Sequence, residues 1–239
     1  NLPGMIRSVD FARLQDYYRD VPAIIVGAGP SLDKNVELLR EVQNKALIIA
    51  TDAITKKLLK MGIRPHITAC LEREELNYLK YYRGIEEDVS DVLLVPMTVC
   101  VPEMAATWKG PFAFFFKVGL PLEVWFSTIT KLPQIRSGAS VSNICYTLAL
   151  LLGCRTIALI GQDLAFGEGR RTHADGAGWD GQTIEEFKQI MGRVMSVPGA
   201  LGGEVLTDQY FALVKRIFED CLQSDRKNLG EIRLVDATE

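Results

Sequence analysis

The stretch AIIVGAGPSLDKN, residues 23–35, joins an apolar run to two glycines, a proline and a polar segment. Gly27 and Gly29 permit a tight turn and a close approach of the backbone to a ligand, and the helix that follows offers free N–H groups to an anion. The dinucleotide fingerprint G-x-G-x-x-G is incomplete, because Leu32 stands at the third glycine position and Pro30 removes one donor. The pattern therefore predicts a phosphate or nucleotide site and argues against NAD, with an ordinary strand-to-helix turn as the alternative.

Apolar runs alternate with segments of helical spacing on both sides of this stretch. Several runs are apolar without interruption, which is typical of parallel strands that are covered on both faces. The sequence therefore predicts an α/β protein, a Rossmann-like mostly parallel sheet with helices on both faces, whose ligands bind beyond the carboxyl ends of the strands. The predicted strands are 21–26, 46–52, 65–74, 92–99, 112–119, 155–163 and 232–238, and the predicted helices are 8–19, 31–43, 53–62, 140–153 and 208–223.

The composition excludes several classes of protein. The 239 residues are 48% hydrophobic, enough for a sizeable core, and their net charge of −3 does not favour nucleic acid or an anionic membrane surface. No apolar run reaches the ~18 residues of a membrane span. Five cysteines without a CxxC pair indicate a reduced, cytoplasmic protein, and two histidines exclude a histidine-rich metal site. Because the chain starts at Asn1 and stops after a strand-like run, we expect one domain over 1–239, cut from a longer protein.

Polar side chains follow three of the predicted strands. Asp52 closes the second strand, where it would reach a ribose or cap the next helix. Glu72 and Arg73 close the third strand and would line the same crevice or begin a solvated helix. Gln162 and Asp163 end the strand at 155–163, at the correct end of the sheet for binding, although Asp163 would also suit a turn cap. These positions predict a polar crevice along one edge of the sheet.

The segment RSGAS, residues 136–140, precedes a strongly apolar helix. Ser137 and Ser140 are residues that cap helices, and Gly138 would let a ligand approach the backbone. The free N–H groups at the start of this helix make it a second candidate for anion binding, as at the first turn. A plain capped helix is the alternative.

A long irregular stretch, FGEGRRTHADGAGWDGQ, covers residues 166–182. Loops of this length in a compact domain are often lids or binding loops, and its five glycines make it costly to order. We therefore expect it to be poorly ordered without a ligand. His173 lies within it and is suited to be a general base near neutral pH, although a lone loop histidine is often just a solvated side chain.

Four of these segments together resemble a known set of proteins. GAGPSL after the first strand, SGAS before the apolar helix, LLGCRTIALIGQDLAF and a downstream histidine resemble the motility accessory factor (Maf) flagellin glycosyltransferases and the related 6-hydroxymethylpterin diphosphokinase MptE-like proteins. They are also similar to bacterial sialyltransferases that use CMP-activated sialic acid. The resemblance covers about residues 20–239. It implies a Rossmann-like glycosyltransferase core that acts on a nucleotide-activated sugar and needs no metal or other cofactor.

The resemblance also implies roles for individual residues. Ala28 replaces an asparagine of the sialyltransferase pattern, and His173 follows GQD at a shorter spacing than in those enzymes. His173 would act as the base. Apart from the resemblance, the charges of Arg170 and Arg171 in the long loop predict that these side chains close on the donor's phosphate or carboxylate. The donor nucleotide and its phosphate would be bound by Gly27, Ala28, Gly29, Pro30, Ser31, Asp52, Glu72, Ser137, Gly138, Gln162 and Asp163.

Three functions remain open at this point. The first is transfer of a nonulosonic, sialic-acid-like sugar from its CMP ester to Ser or Thr hydroxyls of flagellin. The second is a diphosphokinase that moves pyrophosphate from ATP to a pterin alcohol, with Mg²⁺ held by Asp52, Glu72 and Asp163 and with Trp179 stacked on the pterin. The third is a domain without catalytic activity that binds nucleotide sugars in a flagellar assembly.

Overall fold

The computed structural model describes residues 1–86, 88–179 and 193–238. The β-strands are β1 Ala23–Val26, β2 Leu47–Thr51, β3 Ile67–Cys70, β4 Leu93–Pro96, β5 Phe116–Lys117, β6 Gln134–Ile135, β7 Thr156–Ile160, β8 Val194–Pro198, β9 Glu204–Asp208 and β10 Arg233–Asp236. The α-helices are α1 Leu2–Ile6, α2 Leu32–Asn35, α3 Leu39–Val42, α4 Asp52–Lys60, α5 Glu75–Tyr81, α6 Pro102–Thr107, α7 Pro121–Thr130, α8 Val141–Leu151 and α9 Gln209–Leu229. Short 3₁₀ helices cover Phe11–Leu14, Val36–Leu38 and Glu168–Arg170.

The central sheet has the strand order β10-β7-β1-β2-β3-β4 within the described residues, and all of its pairs are parallel. β1 lies next to β2 on one side and β7 on the other, so that Ile25 pairs with Ile49 and with Leu159. The chain therefore builds outward from β1 in both directions, and the order reverses between β1 and β7. This arrangement confirms the predicted α/β, Rossmann-like sheet and places its topological switch point at the end of the opening stretch.

The strands are apolar on both faces because both faces are covered by helices. Successive side chains of a strand point to opposite faces, so Ile25 packs in the cluster that contains Ile144 of α8, whereas Val26 packs in the one that contains Ile54 and Leu58 of α4. All five of these side chains are fully buried, with no exposed surface. The two-sided burial explains why the sequence shows uninterrupted apolar runs rather than alternation.

Two predicted helices differ from the structure. The predicted helix at 8–19 is a 3₁₀ helix over Phe11–Leu14, and Asp16 then takes a left-handed φ of 57°, which no continuing right-handed helix allows. The predicted helix at 31–43 breaks near Asn35, whose φ is −127° and whose side chain donates to a distant backbone carbonyl instead. Backbone dihedral angles therefore interrupt the helical spacing at both places, and at Asn35 the side chain bonds to a part of the chain that is distant in sequence.

The other predicted elements are confirmed in part. The predicted helices at 53–62, 140–153 and 208–223 correspond to α4, α8 and α9, and the stretch at 112–119 forms only the two residues of β5 with isolated bridges to β4. The spacing did not predict α5, α6, α7 or the antiparallel β8–β9 hairpin. Over the residues that the structure describes, we find no helix with both the length and the apolar content to cross a membrane.

Candidate functional site

A cleft of about 270 Å³ opens at the carboxyl ends of β1, β2 and β7, at the switch point of the sheet. Its other walls come from α5, from the first residues of α8 and α9, and from the loop after β7. It is lined by Gly27, Ala28, Gly29, Thr51, Asp52, Ala53, Glu72, Asn77, Tyr81, Ser140, Val141, Ser142, Gly161, Gln162, Asp163, Leu164, Thr172, His173, Trp179, Tyr210, Phe211 and Val214. Of the predicted site residues, Pro30, Ser31, Ser137, Gly138 and Arg171 lie outside this lining.

The glycines of the opening stretch are required by the protein itself. A Cβ at Gly27 would overlap the carbonyl oxygen of Gly161, and a Cβ at Gly29 would overlap Asp163 Oδ2 and lie 2.8 Å from the same carbonyl. The turn after β1 and the turn after β7 therefore approach each other at van der Waals contact. This packing holds the two turns together as one floor of the cleft.

The amides of this turn are engaged by protein oxygens. The Gly29 amide donates to Gly161 O at 2.8 Å, and the Ser31 amide donates to Asp163 Oδ1 at 3.1 Å. The Ser31 hydroxyl donates to Asp163 Oδ2 at 3.0 Å. The predicted contact of the Ser31 amide with a phosphate therefore requires that the phosphate displace the Asp163 carboxylate.

Asp52 is the first residue of α4 and is 3% exposed. Its Oδ1 accepts from the Ala53 amide at 2.8 Å, whereas its Oδ2 is buried with no N–H or O–H partner among the described residues. Burial, together with the charge of Glu72, raises the pKa of Asp52 to about 7, with a smaller opposing effect from the Cys70 thiol. Asp52 therefore exchanges a proton close to neutral pH.

Three further oxygens of residues that line the cleft are, like Asp52 Oδ2, buried without an N–H or O–H partner in the part of the chain that the structure describes. Thr51 Oγ1, Asn77 Oδ1 and Gln162 Oε1 are buried and have no hydrogen-bond partner among the described residues. The Asn77 amide nitrogen donates to Glu72 Oε2 at 3.0 Å, which fixes the orientation of that side chain and leaves its oxygen without a partner within the described ranges. Buried acceptors without partners are uncommon in folded proteins, and four of them lie here in one cleft.

The cleft carries carboxyl groups and no balancing cation within its described lining. Burial raises the pKa of Asp163 to about 6, and burial together with the charge of Glu74 raises the pKa of Glu72. The described lining contains no lysine or arginine. The cleft therefore becomes more negative as the pH rises through the neutral range.

His173 lies in the cleft next to Thr172, with 2.9 Å between its Nδ1 and the Thr172 hydroxyl. Burial, with a smaller contribution from the charge of Lys80, lowers the pKa of His173 to about 4. The imidazole is therefore neutral at physiological pH and able to accept a proton. Its predicted place in the crevice agrees with the structure, whereas its catalytic role remains a prediction.

The start of α8 contributes to the cleft through other residues than those predicted. The cap is Ser140, whose side chain accepts from the Asn143 amide in a capping box, and Ser140 and Ser142 line the cleft. Ser137 is buried, and Gly138 has a φ of 61° with Asn143 Cβ only 2.5 Å from the position of its missing Cβ. Gly138 is therefore needed for the turn into the capping box. Its predicted contact with a donor remains untested.

The loop after β7 is attached to the floor of the cleft. The Ala174 amide donates to Ala28 O at 2.8 Å, and the Gly178 amide donates to Ala53 O at 2.8 Å. Ala174 is fully buried and Ala177 nearly so. These backbone hydrogen bonds and apolar contacts give residues 171–178 a defined position, and the expectation that the loop is poorly ordered without a ligand stays a prediction. Residues 180–182 of the predicted loop lie outside the described residues.

Arg171 makes ion pairs away from the cleft. Its guanidinium pairs with Asp33 Oδ2 at 3.0 Å and with Asp175, and Lys57 pairs with Asp33 Oδ1 at 2.5 Å. This network ties the loop to α2 and α4. The predicted role of Arg171 in donor binding would require it to leave these partners. The side chain of Arg170, with the same predicted role, lies outside the described part of the chain.

Aromatic side chains also line the cleft. Tyr81, Trp179, Tyr210 and Phe211 line the cleft, and the Lys80 ammonium lies 3.3 Å from the centre of the Trp179 ring. Tyr81 belongs to α5, which the sequence did not predict, and Tyr210 and Phe211 belong to the first turn of α9. The sequence signal for Tyr210 and Phe211 is the segment DQYF, in which Asp208 ends β9 and caps the helix that the two aromatic residues begin.

The parallel sheet and the cleft at its switch point define a Rossmann-like α/β protein with a ligand site beyond its strand ends. The model of one family, 6-hydroxymethylpterin diphosphokinase MptE-like, matches residues 1–169, and the chain belongs to this family. The predicted membership of the Maf and MptE-like group is thereby confirmed. Among curated proteins, none matches the sequence.

The fold is also similar to that of a solved structure. This is the MAf glycosyltransferase from Magnetospirillum magneticum AMB-1, with a TM-score of 0.67 and 21% sequence identity. The match covers 99% of this chain and 38% of that one. The chain therefore spans well under half the length of that glycosyltransferase.

Proposed function

We propose that this chain is the donor-binding core of a glycosyltransferase that uses a nucleotide-activated sugar. The observation that carries the proposal is the switch-point cleft, which holds a neutral, partly buried imidazole at its edge. The similarity of the fold to a MAf glycosyltransferase supports the class of reaction. In its finer form, the proposal is transfer of a nonulosonic sugar from its CMP ester to Ser or Thr hydroxyls of flagellin, in the cytoplasm and without a metal or other cofactor.

The proposed reaction uses His173 as the base. The imidazole takes the proton of the acceptor hydroxyl while that oxygen forms a bond to the anomeric carbon of the sugar. The bond between this carbon and the phosphate oxygen breaks, and CMP leaves with the electron pair. The Ser140 and Ser142 hydroxyls, which bond to each other at 2.8 Å at the start of α8, line the cleft and would turn toward the departing phosphate.

The carboxyl groups of the cleft set a condition on this reaction. A CMP-activated nonulosonic acid carries a phosphate and a carboxylate, both of which repel ionised Asp52 and Asp163. The raised pKa values of about 7 and about 6 mean that protonation removes this repulsion near neutral pH. Donor binding is therefore expected to take up protons.

A binding screen tests the proposal. Calorimetry with CMP, CMP-sugars and UDP-sugars should show binding of the cytidine compounds, and chelation of divalent ions should leave that binding unchanged. Absence of CMP binding at millimolar concentration would contradict the proposal. Binding of CMP-sugar without transfer, in the full-length protein with acceptor present, would instead indicate a domain that binds the donor and does not catalyse transfer.

The second candidate function is a Mg²⁺-dependent diphosphokinase that transfers pyrophosphate from ATP to a pterin alcohol. The proximity of Asp52 and Glu72 in the cleft favours it, because Mg²⁺ is often held by one or two carboxylates together with substrate phosphates. Trp179 in the same wall is suited to stack on a pterin. The described residues contain no group of three His, Cys, Asp or Glu that would hold a metal alone. Binding of ATP that requires Mg²⁺ would favour this function over the first.

A further inference from the structure

The unpartnered oxygens of the cleft indicate which kind of ligand group belongs there. Thr51 Oγ1, Asp52 Oδ2, Asn77 Oδ1 and Gln162 Oε1 are all buried without an N–H or O–H partner among the described residues, although the Cys70 thiol interacts with Asp52. Leaving such a group unpaired costs about 1–3 kcal/mol each. All four are oxygens that accept hydrogen bonds. A ligand group rich in N–H or O–H donors would satisfy them together.

The spacing of the strands gives the width of this part of the cleft. Asp52 follows β2 and Gln162 follows β7, and β1 lies between these two strands. Neighbouring strands are about 4.8 Å apart, so the ends of β2 and β7 are separated by roughly 10 Å. The turn between them consists of Gly27, Ala28 and Gly29, which have little or no side chain. A flat ring that lay across this turn would have one edge toward Asp52 and the other toward Gln162.

A carboxyl group at the edge of such a slot matches one particular ring edge. An exocyclic amine beside a ring nitrogen offers two adjacent hydrogen-bonding atoms, which a carboxyl group engages with its two oxygens. We propose that Asp52 is a specificity-determining residue that binds the amino-substituted edge of a nitrogen heterocycle, with the oxygens of Asn77 and Gln162 accepting from other donors of the same ligand. This inference concerns the same cleft as the proposed function, and it rests on the proposed function only for the location of the ligand.

Cytosine and pterin both carry this amino-substituted ring edge, and they require different protonation states of the Asp52 carboxyl group. In cytosine the ring nitrogen is an acceptor, so a neutral carboxyl donates to it and accepts from the amine. In a pterin the ring nitrogen carries a hydrogen, so an ionised carboxylate accepts from both atoms. Because the pKa of Asp52 is raised to about 7, both forms are accessible near neutral pH. Uracil lacks the exocyclic amine, so a uracil nucleotide serves as the control ligand for this ring edge.

The test compares CMP with UMP, which carry the same phosphate and ribose. One well-formed pair of hydrogen bonds discriminates by about 1–3 kcal/mol, so CMP should bind at least about 10-fold more tightly than UMP. Asp52→Ala should reduce this ratio to below about 3-fold by weakening CMP and not UMP. Asp20→Asn is the matched control, because Asp20 is an exposed carboxylate before β1, at the opposite edge of the sheet. This control should keep the full ratio.

Asp52→Asn provides a second variant that preserves the shape of the side chain. An amide donates with its nitrogen and accepts with its oxygen, as a neutral carboxyl does. The variant should therefore keep the preference for CMP over UMP. It should lose binding of 6-hydroxymethylpterin, which needs two acceptors.

The outcomes separate this inference from the proposed function. Asp52-dependent binding of 6-hydroxymethylpterin without binding of CMP supports the inference and contradicts CMP-dependent transfer. Equal binding of CMP and UMP by the wild type, or an unchanged ratio in folded Asp52→Ala protein, overturns the inference and leaves CMP-dependent transfer intact. Failure of both CMP and the pterin to bind overturns the inference as well.

Discussion

His173 and Asp52 are the two residues on which the proposed chemistry depends, and burial alters their pKa values in opposite senses. Burial disfavours the charged form of each group, which keeps the imidazole neutral and holds the carboxyl group protonated to higher pH. The cleft therefore contains both an unprotonated base and a carboxylic acid that ionises near neutral pH. Titratable groups whose pKa values are shifted in this way are enriched at functional sites.

The first prediction concerns His173→Ala. CMP affinity should stay within about 3-fold of the wild type, while the transfer rate falls about 10²-fold or more, the usual scale for a lost general base. Because the pKa of His173 is about 4, the wild-type rate should show no titration of this residue between pH 5.5 and about 8. His66→Gln is the control, since His66 accepts from the Ile48 amide at the opposite edge of the sheet. Full transfer activity in the His173 variant would remove this residue from the mechanism.

The second prediction concerns the contribution of Asp52 to stability. Its pKa is about 7 in the folded protein and about 3.9 in an unfolded chain, so the folded state binds the proton more tightly. The stabilising contribution is complete below about pH 4 and is lost as the pH rises through 7. Asp52→Asn should therefore gain stability relative to the wild type between pH 4 and 8, by up to about 4 kcal/mol.

Urea unfolding at pH 5 and pH 8 measures this effect. The difference in unfolding free energy between Asp52→Asn and the wild type should be more favourable to the variant at pH 8. Asp20→Asn should show the same difference at both values of pH, because that carboxylate is exposed. An equal difference at both values for the Asp52 variant would show that its buried carboxyl group does not titrate as described.

At the scale of elements, the two turns after β1 and β7 form one unit that holds the cleft open. The third prediction is that Gly29→Ala destabilises the fold by about 2 kcal/mol or more, because its Cβ would overlap Asp163 Oδ2 and crowd Gly161 O. Gly84→Ala is the matched control, with a φ of 92° and nothing within 4 Å of its added Cβ, and should cost only about 1 kcal/mol. Equal costs in chemical denaturation would mean that the turns are free to separate.

The elements that the sequence predicted well are those in which apolar spacing and burial agree. Most residues of β1, β2, β7 and α8 are both apolar and buried, so their apolar runs predict these elements directly. The helix α5 reverses this relation, since Leu76 and Leu79 are exposed whereas Asn77 and Tyr81 are buried. Its buried face points into the cleft, and a pattern based on apolar spacing therefore misses both the helix and its contribution to the site.

The candidate site was predicted best where its residues directly follow a strand. Asp52, Gln162 and Asp163 lie in the cleft because the ends of parallel strands share one edge of the sheet. Asn77 and Tyr210 reach the cleft from helices, and their positions depend on long-range packing that local spacing does not encode. The engagement of Ser31 by Asp163 is likewise a contact across 132 positions of the chain.

At the scale of the whole molecule, the lining of the cleft is acidic, and the ligand of the proposed function is an anion. The fourth prediction is that CMP affinity increases as the pH falls from 8 to about 5.5, because protonation of Asp52 and Asp163 removes charge that repels the phosphate. Linkage limits the change in CMP affinity to about tenfold per pH unit for each proton that is taken up on binding. Binding of Mg²⁺ with ATP should change in the opposite sense, since the metal needs ionised carboxylates.

Calorimetry over this pH range, with the wild type and Asp52→Asn, measures the proton uptake directly. The slope for CMP should be smaller in the variant, because one of the titrating groups is gone. CMP affinity that is constant from pH 5.5 to 8 would contradict the electrostatic description of the cleft. CMP affinity that rises with pH would favour metal-assisted binding instead.

The attachment of the loop to the floor of the cleft has a consequence for amide hydrogen exchange. The amides of Ala174 and Gly178 are bonded to Ala28 O and Ala53 O, so their hydrogens exchange with solvent only when the loop lifts from the sheet. The fifth prediction is that these two amides exchange faster than those of β1 and that they slow together when CMP is added, by about 100-fold at 100 times its Kd. Slowing of one amide without the other would show that the loop opens in two parts, with Ala174 and Gly178 belonging to separate cooperative units.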